Sequence, residues 1–208
     1  RGVKYDEMVS LNHKLKVRFK DAGHLLGSAI IEVWVVEEGK EQKIVFSGDL
    51  GNKGLPILRE TSTIDDADYL VIESTYGNRS HVERKNMTER FVEIINETLE
   101  NGGNVIIPSF AVGRTQEIIY DINKQHGLNS EKTQKLLNTP VFVDSPLAVS
   151  ATEVFRKNLD CYDEEARAYV ENGDNPLDFP GLVFTRTSDE SKALNTRQDS
   201  VIIISASG

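Results

Sequence analysis

At about residue 80 the hydrophobic pattern of this chain changes period, and that change limits its fold more than any other feature. Before it, Leu15, Val17 and Phe19 alternate with Lys14, Lys16, Arg18 and Lys20, the signature of a half-buried strand. The apolar run Ile30 to Val36 turns back at Glu38-Gly39-Lys40 and returns as Ile44-Val45-Phe46, which reads as a hairpin. Tyr69 to Ile72 is a continuous apolar run of the fully buried kind. After it, Met87, Phe91, Ile94, Ile95 and Leu99 share one helical face, stopped by Asn101-Gly102-Gly103. Val105-Ile106-Ile107 predicts a short buried strand. Val112 to Gln125 predicts a helix with Ile118, Ile119 and Ile122 inward, closed by Gly127. Val141 to Val143, Leu182 to Phe184 and Val201 to Ile204 predict three more strands. Between them, Ser145-Pro146 opens a helix running through Val149, Val154 and Phe155, and Thr187-Ser188-Asp189-Glu190 is a capping box. Hairpins followed by strand–helix alternation imply an α/β chain whose second part holds a parallel sheet with helices on its faces. The expected domains are residues 1–79 and 80–208, with the boundary between Asn78 and Arg84.

Composition excludes several classes. A length of 208 residues with 38% hydrophobic and 27% charged side chains is enough to bury a core and typical of a soluble protein. No apolar run approaches the ~20 residues of a membrane span, and no signal-peptide pattern opens the chain. The single Cys161 excludes an intrachain disulfide and fits a reducing, cytoplasmic setting. With no His near it in sequence, Cys161 reads as a structural or surface thiol rather than a nucleophile. A net charge of −9 argues against a protein that coats nucleic acid or lies on a membrane, but allows a local cationic groove or a phosphate-binding metal. The acidic excess between Asp160 and Asp178 reads as a solvated helix face and loop. Arg1 at the start, and an apolar run ending in Ser205-Ala206-Ser207-Gly208, lead us to expect a piece of a longer polypeptide.

Three loops concentrate the chemistry: Gly23 to Ala29, Phe46 to Gly51 and Glu73 to Gly77. Each follows a strand-like run and carries one side chain able to bind a metal or move a proton. His24, between small glycines, is either a metal ligand or a loop histidine bonding its own turn. Asp49, beside Gly48, is either a ligand that can bridge two metals or the side chain of an Asx-turn. Glu73 ends an apolar run, so its carboxylate must be paired, ligated or protonated. That suits a general acid or a carboxylate holding a histidine, the alternative being a cap on the following turn. His81 follows closely enough to face the same cleft, whereas His13 and His126 lie in polar surroundings and are expected to be exposed. Arg114 opens a helix whose free amides could meet a phosphate, or it pairs with Glu117 across a domain boundary. Asp144-Ser145-Pro146 reads as a helix start.

Taken in order, GHLLGSA at 23–29, FSGDLG at 46–51, ESTYG at 73–77, PSFAVGRTQE at 108–117, FVDSPLA at 142–148 and the terminal IIISASG resemble the metallo-β-lactamase-fold nucleases with a β-CASP domain. The resemblance covers nearly the whole chain. It implies part of an αββα sandwich, then a parallel-sheet β-CASP domain. By match, His24 is similar to a metal-binding histidine, Asp49 to a metal-bridging aspartate, and Glu73 to the acidic residue that orients a proton-donating histidine. Asp49 and Glu73 are thus the catalytic candidates, and Arg114, His81, Ser205 and Ser207 the substrate-binding ones. The implied reaction is hydrolysis of RNA phosphodiesters with two Zn2+ ions, in a site between the two domains. Glu rather than Asp at position 73 is similar to the RNA-acting branch. The family's His-x-His-x-Asp-His signature and its later histidines are absent here, so the chain alone is expected to bind zinc weakly or not at all and to be inactive. The partners implied are single-stranded RNA and the remaining segments of the lactamase domain. Apolar edges in residues 1–77 are expected to permit a homodimer. The competing readings are a lactamase-fold hydrolase of a small ester, which would lack the second half, and a non-catalytic scaffold paralogue in an RNA-processing complex.

Overall fold

Alternation of charged and apolar residues builds the first sheet strand by strand. The computed structural model describes residues 2–80, 84–128 and 133–206, with the backbone alone for 84–86. In it β1 (Val9–Asn12), β2 (Leu15–Asp21), β3 (Ala29–Glu37), β4 (Lys40–Phe46) and β5 (Tyr69–Val71) lie in sequence order in one sheet. Neighbours are antiparallel until β5, which joins β4 in parallel. Glu38 and Gly39 both have positive φ, as a tight hairpin turn with the strands' right-handed twist requires. Residues 1–80 together with 161–163 form one compact unit. There Leu58 bridges Tyr162, and the Asp163 amide donates to the Ile57 carbonyl at 2.8 Å. That pairing helps hold Ile57 in the left-handed region (φ 73), a costly place for a buried β-branched residue.

The two faces of this sheet invert the usual arrangement. One face carries Val9, Val17, Val33, Ile44 and Tyr69 in one cross-strand row, and Phe19, Ile31, Phe46 and Val71 in the next. None of these is buried among the described residues. The other face is covered: Ile30, Val45 and Ala22 pack with Leu50 and Ile64. Beside them the Glu32 carboxylate, 1% exposed, is held by Arg18 at 2.5 Å and Lys43 at 2.8 Å. Lys43 also reaches Asp66 at 2.9 Å, and both cations lie over the Trp34 ring.

The second compact unit, residues 81–160 and 164–208, is a parallel sheet in the order β6-β9-β7-β8. Its strands are β6 (Val105–Pro108), β7 (Val141–Asp144), β8 (Leu182–Thr185) and β9 (Ile202–Ser205). Its helices are α1 (Arg84–Glu100), α2 (Arg114–Leu128), α3 (Gln134–Leu137), α4 (Pro146–Lys157), α5 (Glu164–Glu171) and α6 (Ser188–Leu194), and a 3-10 turn at Leu159–Cys161 ends where the chain leaves this unit. Ile95, Leu99, Ile119, Ile122, Val149 and Phe155 are buried in this unit, as are Val141 and Val143 of β7 and Ile202 and Ile204 of β9. Ser145 caps α4 through the Ala148 amide at 3.1 Å, with Pro146 next in line, and Thr187 with Glu190 forms the expected capping box. No helix among the described residues is long and apolar enough to cross a membrane.

Several expectations are corrected. Tyr69 to Ile72 is 55–57% exposed, because β5 closes one end of its sheet and has a strand on one side only. Ile106 is 68% exposed for the same reason: β6 is an edge strand, and alternate residues face outward. Helix α2 starts at Arg114, two residues after Val112, and runs through Gly127 to Leu128. His126 is half-buried and stacked on Phe179 at 4.9 Å, and burial pushes its pKa below the ordinary value. Arg114 and Glu117 do pair, at 2.8 Å, but as successive turns of one helix and not across a boundary. His81 and Ser207 lie outside the described residues.

Candidate functional site

The loops carrying His24, Asp49 and Glu73 meet at one end of the five-stranded sheet. Backbone contacts bring them there. The Gly51 amide donates to the Ala22 carbonyl at 2.9 Å, and Thr61 Oγ1 donates to Ala22 at 3.0 Å and to Gly51 at 3.2 Å. A Cβ on Gly51 would lie 1.8 Å from the Gly23 carbonyl oxygen, so the two loops touch with no room for a side chain. Gly23 itself has φ 64 and is closed in by the Arg59 carbonyl and the Thr61 amide, each within 3 Å of where its Cβ would stand.

Ser28 organises the His24 loop. Its hydroxyl accepts the amides of His24 and Leu25, both at 3.1 Å, and its carbonyl accepts the Tyr5 hydroxyl at 2.8 Å. Burial, with Asp21 nearby, pushes the Tyr5 hydroxyl up to about 12. Tyr5 therefore stays protonated as a donor, a support that residue spacing does not reveal. The His24 side chain is half-exposed and Asp49 is exposed.

Glu73 links the third loop to the second. Its carboxylate accepts the Leu50 amide at 2.6 Å, and its own amide donates to Ser47 Oγ at 3.0 Å. The Leu50 amide, then the Thr75 hydroxyl and amide, then the charge of His24 hold the Glu73 carboxyl below the usual carboxylate range. That direction favours a carboxylate that holds its neighbours over a general acid at this position. Glu73 both caps its own turn and fixes the backbone next to Asp49.

Among the described residues no three His, Cys, Asp or Glu side chains stand where they could hold a metal ion. His24 and Asp49 offer one imidazole and one carboxylate, fewer than the three protein donors a catalytic zinc keeps. This donor set does not by itself fit a zinc centre.

In the second unit, polar side chains gather at the carboxyl edge of the parallel sheet, where open α/β sheets bind ligands. The Ser109 amide donates to the Ser205 carbonyl at 2.9 Å, and Ser109 and Thr115 share a hydroxyl bond of 2.7 Å. Asp144, on the central strand β7, accepts from Thr185 at 2.6 Å and Ser191 at 2.9 Å. Gln116, fully buried, accepts the Gly113 amide at 2.7 Å and donates to Ala111 at 3.1 Å and Thr152 at 2.9 Å. Sequence reasoning missed Gln116 and the bonding role of Asp144. The only available signal was a polar triplet, Thr115-Gln116-Glu117, on what becomes the buried face of α2.

Gly51→Ala tests the loop contact. Because the clash is with backbone, we expect a loss of about 3 kcal/mol, read as a lowered midpoint of the first unit in thermal unfolding. An unchanged midpoint would show that the loops are free to part.

Comparison with known proteins gives the following. The Beta-Casp domain model matches residues 115–208. The chain is 36% identical over 208 residues to Ribonuclease TTHA0252 of Thermus thermophilus, covering 100% of this chain and 46% of that protein. It is 38% identical over 208 residues to an RNase J-like protein of Methanocaldococcus jannaschii, covering 98% and 45%. It is 25% identical over 193 residues to Endoribonuclease YSH1 of Candida glabrata, covering 90% and 24%. The chain spans less than half the length of these curated relatives.

Proposed function

The chain belongs to the metallo-β-lactamase-fold β-CASP family, and on that footing we propose that it is one part of a phosphodiester hydrolase acting on single-stranded RNA. The observation that carries this reading is the meeting of the His24, Asp49 and Glu73 loops at one sheet end, in a chain whose relatives are named ribonucleases. His24 and Asp49 would supply part of the donor set for Zn2+, two ions per complete site, and Glu73 would position the Asp49 loop. When bound, zinc would supply Lewis-acid charge at the scissile phosphate. The remaining donors would come from further segments of the lactamase domain. The open apolar face of the five-stranded sheet supports such a partner, since exposed patches of that kind mark surfaces that another element covers. Alone, the chain is expected to be inactive, and the same face would allow it to form a homodimer. The Beta-Casp match in the second unit favours this reading over a small-ester hydrolase.

The test compares this chain with a version carrying the full length of its relatives, for zinc content and for cleavage of a labelled single-stranded RNA. We expect about two zincs and cleavage from the longer version, and neither from the short one. Stoichiometric zinc on the short chain would overturn the ligand assignment. A longer version that holds zinc yet never cuts would overturn the nuclease reading in favour of a scaffold.

A further inference from the structure

The second unit contains a cavity of about 620 Å³. Three elements line it. Met87, Thr88 and Phe91 come from α1, Ile107 to Phe110 from β6 and the loop after it, and Arg114, Glu117, Ile118 and Asp121 from one stripe of α2. The stripe follows from helical spacing, since positions 114, 117, 118 and 121 fall on one face. The walls are largely apolar. At the mouth Phe110 is 81% exposed, an unusual position for a ring in a chain that buries most of its phenylalanines at least in part. Adjacent Ser109 bonds the Ser205 backbone, so the cavity opens beside the carboxyl edge of the sheet.

The charges in the cavity select among the parts of a nucleic acid. Arg114 is already engaged by Glu117 at 2.8 Å, and Asp121 adds a second carboxylate. Among the described residues the lining is thus net acidic and disfavours a phosphate. A nucleobase is flat and neutral, stacks on exposed aromatic rings, and carries polar groups only at its edge. Adenine presents an exocyclic amine as a donor, which suits carboxylates at the end of an apolar slot, whereas uracil presents no exocyclic amine.

We propose that this cavity is a base-stacking subsite for single-stranded RNA, in which an amino-bearing base such as adenine stacks on Phe110 with its exocyclic amine toward Glu117 and Asp121. The inference rests on the RNA-acting reading of the preceding subsection and names a recognition element for it. The cavity would set which base lies beside the sheet edge without touching the scissile phosphate.

The test measures binding of the 208-residue chain to three labelled oligomers of equal length: oligoadenylate, oligouridylate, and an abasic ribose-phosphate strand of the same charge. Adenylate is expected to bind best and the abasic strand worst. Phe110→Ala should weaken adenylate binding about tenfold and leave the abasic strand unaffected, while Phe110→Tyr keeps the preference. Met87→Trp, a change at an exposed position on the cavity wall, should fill the slot and act like Phe110→Ala without touching the core. Equal binding of adenylate and abasic strands, or indifference to both blocking variants, overturns the subsite and leaves RNA binding standing. No binding of any oligomer overturns the subsite, while the RNA reading stands or falls by cleavage in the longer version. If Met87→Trp changes the sedimentation of the chain but not its RNA binding, the groove is a protein interface and the proposal falls.

Discussion

Asp49→Asn, made in a version of the sequence as long as its relatives, is expected to bring RNA cleavage below detection with no change in unfolding midpoint. Asp49 is exposed, and among the described residues its carboxylate makes no hydrogen bond or ion pair on which the fold depends. Asparagine keeps its size and removes the charge a metal needs. Glu73→Gln makes the complementary case. Its amide oxygen can still accept the Leu50 amide, so the loop stays in place, but the anion near His24 is gone. A loss of about 10–100-fold in cleavage is expected, the usual effect of removing a group that supports metal ligands. Single-turnover cleavage with zinc content measured alongside separates the two. If Asp49→Asn cuts at the parental rate, Asp49 is only a turn residue. If Glu73→Gln costs as much as Asp49→Asn, Glu73 touches the reacting atoms and is no positioning residue.

Glu32→Gln is expected to destabilise the first unit by about 3–5 kcal/mol, because it strands two cations that share one buried carboxylate. Lys43 is nearly buried and loses its 2.8 Å partner, keeping only exposed Asp66, and Arg18 loses its 2.5 Å partner. For a unit of this size each kcal/mol moves the midpoint by about 4–8 °C, so a fall of more than ~10 °C should be seen calorimetrically. The pH dependence carries a sign. Burial pushes the Glu32 carboxyl up, but hydrogen bonds from Arg18 and Lys43, with their charges, outweigh it and hold it below its ordinary 4.5. A carboxyl depressed by folding contributes stability above that ordinary value and loses it as pH falls through the lowered one. The parent should therefore lose stability in acid over that window, and the variant should show a flatter profile there. A variant as stable as the parent at neutral pH would mean that the cations find other partners at no cost.

Much of the fold could be read from residue spacing. The charged–apolar alternation of β2, the hairpin of β3 and β4, the caps of α4 and α6 and the core strand β7 follow from local rules that need no tertiary knowledge. What failed was burial of whole runs. Tyr69 to Ile72 and Val105 to Ile107 have the composition of central strands, but their place at the end of a sheet is decided by strand order, which a linear pattern does not contain. At the candidate site, His24, Asp49 and Glu73 stood out as polar residues after apolar runs. The bonds that gather their loops are mostly backbone ones, through Ala22, Leu50 and Gly51, and those have no side-chain signature. Gln116 escaped for a related reason, because its partners Ala111 and Thr152 become neighbours only once α2 and α4 pack.

The position of β9 in the parallel sheet also sets a timetable. It runs between β6 and β7 and pairs with both, yet it is made roughly a hundred residues after β6, whose one partner among the described strands it is. Until residues 202–205 leave the ribosome, β7 and β8 can pair while β6 has no strand to join among the described ones. Closure of the sheet is then a late, long-range event of the kind that folds slowly. A nascent chain stalled before Val201 would hold finished helices around an unfinished sheet, and the polar edge near Ser109 and Ser205 would come into being all at once with the arrival of the last strand.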